Sequence, residues 1–167
     1  MQAELVRTMA AYNGWMNEKL YAVCAELTDE ERKVNRNAFF KSIHGTLNHL
    51  LLADKVWLGR FTSAPFVPKS LDQELYSDFD ELRAQRAIVD AEIVRWAERV
   101  TDEALAGPIE FRSITNPQPR KYTLWVCVAH FFNHQAHHRG QLTALLSQAG
   151  KYYGVTDLIA MPGMQNG

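Results

Sequence analysis

Basic clusters, internal repeats, low-complexity tracts and any long apolar span at the N-terminus are missing from this sequence, and each absence excludes a class of function. The 18 Lys and Arg nearly cancel the 19 Asp and Glu, leaving a formal charge of −1. Without a basic face the chain cannot neutralise a phosphate backbone, so nucleic acid is not an expected partner. The missing apolar span and signal-peptide pattern argue against a membrane partner and for a cytoplasmic protein. Cysteine is scarce. Cys24 and Cys127, far apart and each inside a predicted helix, read as small core residues in a reducing compartment rather than as a redox pair. No shift in composition marks a boundary, so residues 1–167 are expected to form one domain, large enough to bury a core without disulfide staples.

What the chain does have is helical periodicity. Leu5, Met9, Tyr12, Met16, Leu20, Val23 and Leu27 keep a three-and-four spacing that predicts a helix from Gln2 to Leu27, and Thr28 with Glu31 has the pattern of a capping box. A second helix is predicted from Ser42, as N-cap, to near Phe61, ahead of Pro65 and Pro68. After a loop over 62–77, Ser77 or Asp78 can cap a third helix. Its seam of Phe79, Leu82, Val89, Ile93, Trp96 and Val100 has Arg86 at one apolar position.

Between Thr101 and Tyr122 the helical period disappears. Weak alternation over Pro108 to Ile114, followed by turn chemistry at Asn116 to Pro119, allows a short β-hairpin. A fourth helix is predicted from about Thr123 to Gln148, stopped by Gly150. The aperiodic but partly apolar tail, Lys151 to Gly167, is expected to pack over the helices. Four long amphipathic segments make an all-α four-helix bundle the economical architecture.

Two ionisable residues sit where apolar ones belong. Asp54 falls on the apolar arc of the second helix, where an ionised carboxylate is costly without a partner. Arg86 either snorkels at the edge of the third-helix seam, the reading the spacing favours, or pairs with an interior carboxylate such as Asp54. His44 shares a narrow polar strip with Asn48 and Lys55 and is expected to face solvent, whereas His49 lies on the apolar arc.

Four of the six histidines, His130, His134, His137 and His138, fall within nine positions of the fourth helix. His134 and His138, one turn apart, lie nearest the face made by Leu124, Cys127, Val128, Phe131, Leu142, Leu145 and Leu146. His130 and His137 fall further round, at the rim or surface. Two interior imidazoles are hard to satisfy by hydrogen bonds alone, and a shared cation would use both lone pairs. His49 can supply a third ligand if the second and fourth helices are neighbours. Three neutral nitrogens suit Zn, Ni, Fe or Cu better than Mg or Ca. Asn133 and Gln141 are candidates to orient the ligands. From spacing alone, three ordinary core histidines are an equally good reading.

Phe40-Lys-Ser-Ile-His-Gly-Thr-Leu-Asn-His49 with Ala53-Asp-Lys-Val-Trp-Leu-Gly-Arg60 resembles the second helix of the DinB-like (DinB/YfiT) family. Asn133-His-Gln-Ala-His-His-Arg-Gly-Gln141 resembles its fourth-helix signature, and Tyr153-Gly-Val-Thr-Asp-Leu158 with Met161-Pro162 its tail. The resemblance implies an up-up-down-down four-helix bundle with a long crossover, a homodimer, and a divalent transition metal on His49, His134 and His138, with Zn or Ni ahead of Fe or Cu. It also implies a range of roles, since some relatives are transferases or isomerases acting on low-molecular-weight thiols.

The first functional expectation is therefore a metal-dependent enzyme, a thiol-dependent transferase or a hydrolase. Its substrate would be a low-molecular-weight thiol or another small molecule. No catalytic side chain beyond the metal ligands is identified. The alternatives are a non-catalytic metal-binding stress-response scaffold and a helical dimerisation module without metal.

Overall fold

The structure, a computed structural model, describes residues 2–113 and 118–164. Long helices form where the three-and-four apolar spacing runs: α1 (Gln2–Ala25), α3 (Ile43–Phe61), α4 (Phe79–Arg99) and α6 (Leu124–Gln148), with a short α2 at Asp29–Lys33 and α5 at Asp102–Ala106. The first turns are capped by the residues the sequence offers. Ser42 Oγ accepts from Gly45 N at 3.0 Å, Asp78 Oδ1 from Glu81 N at 2.8 Å, and Thr28 and Glu31 exchange both bonds of the capping box. At the end of α6, Gly150 adopts φ +73°, a left-handed conformation that stops the helix where the sequence predicts.

Helix α1 packs on α4 and α6, and α3 packs on the same two helices, so α1 and α3 occupy opposite corners of the bundle. The α1-to-α3 and α4-to-α6 connections therefore cross its ends diagonally. Between the helices lie Leu20, Leu47, Leu51, Leu82, Ile93, Phe131, Leu142 and Leu146, all essentially inaccessible. Each such side chain contributes roughly 1.5–3 kcal/mol relative to exposure. The consequence for function is that α3 and α6 are neighbours.

The expected hairpin is present as β1 (Pro108–Arg112) and β2 (Pro119–Thr123), antiparallel with Ile109 opposite Tyr122 and Phe111 opposite Arg120. The turn residues Asn116 and Pro117 lie outside the described residues. Helix α5 was not expected from the sequence. Five residues are too few to show a period, and only the Thr101 cap, which accepts from Ala104 N at 3.1 Å, marks it. The tail does dock. Tyr12 donates to Thr156 O at 2.5 Å, Lys19 to Val155 O at 2.5 Å, and Met161 is buried, although Tyr152 and Ile159 remain exposed. No helix among the described residues is long and apolar enough to cross a membrane.

Two expectations about polar residues are corrected. Arg86 does not snorkel at the seam's edge. It is 3% exposed and donates from Nη1 to Asp54 Oδ2 at 2.7 Å, with Nη2 2.9 Å from Asp90 Oδ1. The carboxylates come from both α3 and α4, so the seam is wide enough at this level to hold an ion-paired core. His44 is not solvent-facing either. The 62–78 loop folds back over the polar strip, with His44 Nε2 donating to Tyr76 O at 2.9 Å, and Asn48 bonding the backbone of Leu75 and Tyr76. A helix plot shows the strip but not the chain that covers it.

Candidate metal centre

His49 stands at the second turn of α3, and His134 and His138 on successive turns of α6. Because α3 and α6 pack together, the three rings meet. His134 Nε2 is 3.4 Å from His49 Nε2 and 3.1 Å from His138 Nε2, and the three potential ligand atoms all lie within 4.8 Å of one another. Two nitrogens each about 2.0–2.1 Å from one tetrahedral ion would stand roughly 3.3–3.4 Å apart. The donor set therefore fits a transition metal in size and in kind.

The ring tautomers follow from their outer partners. His49 Nδ1 lies 2.9 Å from Leu71 O, and a carbonyl only accepts, so Nδ1 carries the proton and Nε2 presents a lone pair. His138 Nδ1 likewise donates to Gln141 Oε1 at 2.7 Å. Two lone pairs thus face His134 Nε2, which has at most one proton to give. Hydrogen bonds among the three rings alone would leave at least one acceptor without a donor, and a shared cation would satisfy all three nitrogens. Of the two residues expected to orient ligands, Gln141 does so and Asn133 does not, being exposed on α6.

The environment keeps the imidazoles neutral, the form that binds metal. Burial lowers the His134 pKa to about 3, with the neighbouring His138 and His49 acting in the same direction. Burial lowers His49 to about 4 against the opposing hydrogen bond to Leu71. His138 is also pulled down, chiefly by burial. His130 and His137 remain exposed and outside the triad, as their helical phase predicts.

Phe40, which the sequence did not single out for the site, stacks on His49 with centroids 3.8 Å apart and contacts His138 edge-on at 5.4 Å. It arrives there through a tight turn in which Lys41 N bonds Ala38 O at 2.8 Å and Lys41 adopts φ 66°. Beneath the triad lies a second missed group. Asn13, Asn17, Gln135 and Arg139 join Asp54, Arg86 and Asp90 in a polar layer inside the bundle. The available signal was weak: Gln135 lies within the histidine series and Arg139 directly follows it, where side chains read equally well as a solvated face.

A profile of the DinB family matches residues 1–166. The chain is 29% identical over 153 residues to Protein DinB of Bacillus subtilis (strain 168), covering 87% of each chain. A crystal structure of a DinB-like protein from Bacillus cereus ATCC 10987 superposes with a TM-score of 0.63 at 22% identity, covering 84% of this chain and 89% of that one, a likeness of fold.

Proposed function

The chain belongs to the DinB family, and from that premise we propose that it is a divalent-metal-dependent enzyme, a thiol-dependent transferase or a hydrolase, with His49, His134 and His138 as the metal ligands. The observation that carries this reading is the convergence of three Nε2 atoms whose lone pairs outnumber the protons available between them. Three neutral imidazoles favour Zn or Ni, with Fe or Cu also compatible. When bound, such an ion lowers the pKa of a coordinated thiol or water and so supplies a nucleophile at neutral pH.

The protein's own groups hold and orient. Leu71 O and Gln141 Oε1 fix two ring planes, Phe40 shields one face of His49, and His134 stays partly accessible on the side a substrate would approach. The Asp54–Arg86–Asp90 group lies beneath the ligands as an internal support, and no general acid or base is assigned to it. The test is metal analysis of protein purified without a histidine tag, repeated on His49→Ala. A stoichiometric transition metal lost in the variant supports the site, and none in either protein overturns it.

A non-catalytic scaffold, in which the ion merely ties α3 to α6, is the second reading, favoured by the drawing of ligands from two helices. Chelation separates the two. A structural ion lowers the melting temperature strongly on removal, whereas a catalytic one leaves the fold largely intact. We also propose a single domain over residues 1–167 and a homodimer. Exposed Leu5 and Trp125, beside a cavity of about 440 Å³ between α1 and α6, support the dimer. The apolar side chains of α3 are already inside the bundle, so this helix offers little to an interface. A monomer in sedimentation at micromolar concentration would contradict the dimer.

A further inference from the structure

The triad does not stand alone on its two helices. His130 sits one turn before His134 on α6, and Trp57 two turns after His49 on α3. Their rings continue the same row of contacts, Trp57 to His130 at 5.1 Å and His130 to His134 at 5.9 Å between centroids. At this end of the row the hairpin covers a cavity of about 280 Å³.

The register of the hairpin decides what lines that cavity. Successive strand residues point to opposite faces, so Glu110 and Lys121, paired across the strands at 2.9 Å and largely exposed, take the outer face. Phe111, Arg120 and Tyr122 take the inner one and line the cavity. Arg60 enters from α3, its guanidinium carbon 4.2 Å from the Phe111 ring centroid and 4.4 Å from that of Trp57. This guanidinium is half-buried, and no carboxylate pairs with it among the described residues. A partly desolvated cation between aromatic rings, with the hairpin's acidic side chain turned outward, has the chemistry that suits an anion.

We propose that this cavity anchors a small carboxylate-bearing molecule with a flat or apolar body. Arg60 holds the carboxylate through its planar fork, and Trp57, Phe111 and Tyr122 pack against the body. The volume is at the small end of ligand pockets, about 300 Å³, and matches one ring with a short substituent. The molecule's far end then points along the histidine row toward the triad. The role of this subsite in a reaction rests on the reading of the triad as a reactive metal centre, whereas its ligand chemistry does not.

Benzoate is a suitable probe, with benzamide as its uncharged isostere, titrated into metal-free full-length protein by calorimetry. Benzoate should bind at one site and benzamide at least about tenfold more weakly. Arg60→Gln should weaken benzoate about tenfold or more, the scale of a lost charge-assisted hydrogen bond, and Arg60→Lys, which keeps the charge but not the planar fork or its stacking, should recover only part of that loss. His134→Ala should leave benzoate binding unchanged. Equal affinity for benzoate and benzamide, undiminished binding in Arg60→Gln, or loss in His134→Ala alone would overturn the proposal. A second measurement needs no variant: saturating benzoate must shift the Trp57 indole N–H resonance in the unaltered protein, and an unmoved resonance rejects the site. Because all of this is read without metal, a triad that binds no ion and a cavity that binds no carboxylate are separate failures.

Discussion

Phe40 lies nearly flat on His49, the ring planes 16° apart. The stack and the Leu71 carbonyl together hold the imidazole with Nε2 toward α6. A Cβ at Gly45 would overlap the Phe40 carbonyl oxygen, a backbone atom that cannot move independently of the ring. Gly45→Ala should therefore loosen metal binding without touching a ligand, by about 10–100-fold, the range seen when outer partners of metal ligands are lost. A competition titration against a chromogenic chelator measures it, and an unchanged affinity would show that the stack is incidental.

The four histidines of α6 should separate cleanly on substitution. His134→Ala and His138→Ala are expected to lose stoichiometric metal, as is His49→Ala. His130→Ala and His137→Ala should retain it, since neither belongs to the cluster of convergent nitrogens. Elemental analysis of the five variants makes the comparison.

Acid should act on the metal-free protein through His49 and His134. Both have folded pKa values well below the ordinary 6.5, at about 4 and about 3, so the unfolded chain takes up protons first as pH falls. Stability is then full above about pH 6.5 and declines as pH drops toward 4, because protons bind preferentially to the unfolded state. Bound metal, which competes with protons for neutral nitrogen, should deepen the decline. Thermal melts between pH 7.5 and 4.5, with and without Zn, test the sign, and a metal-free protein stabilised by mild acid would refute it.

The Asp54–Arg86 pair makes a prediction about stability alone. Both side chains are almost wholly buried and bonded at 2.7 Å. Removing either partner should cost about 3–5 kcal/mol by stranding a charge, while replacing both with apolar residues of similar volume should cost less than the sum. Asp90 limits the recovery, since it remains near the site of Arg86. A double-mutant cycle in urea measures the coupling, and additive losses would mean that the two charges are independent.

The histidines were legible in the sequence because helical phase is a local property. Three residues at fixed angles on two apolar arcs need only one further condition, that α3 and α6 be neighbours, to form the triad. The capped starts of the helices and the Gly150 stop were legible for the same reason. What escaped was everything supplied by chain from elsewhere. His44 looked solvated until the returning loop put the Tyr76 carbonyl on it. Phe40 sits in a turn with no period, and its place on His49 depends on a left-handed backbone at Lys41 that a residue other than Gly does not announce. The arginine at position 86 was ambiguous because its partner lies on a different helix, 32 residues away.

The hairpin contributes none of the three imidazoles, yet its inner face forms one wall of the cavity beside them. The three histidines and this wall of the cavity therefore lie on segments that can diverge separately. Exchanges at Phe111, Arg120 and Tyr122 alter what fits beneath two five-residue strands without shifting a helix of the bundle. A lineage built on this plan can inherit its three histidines unchanged while its hairpin reshapes the space beside them.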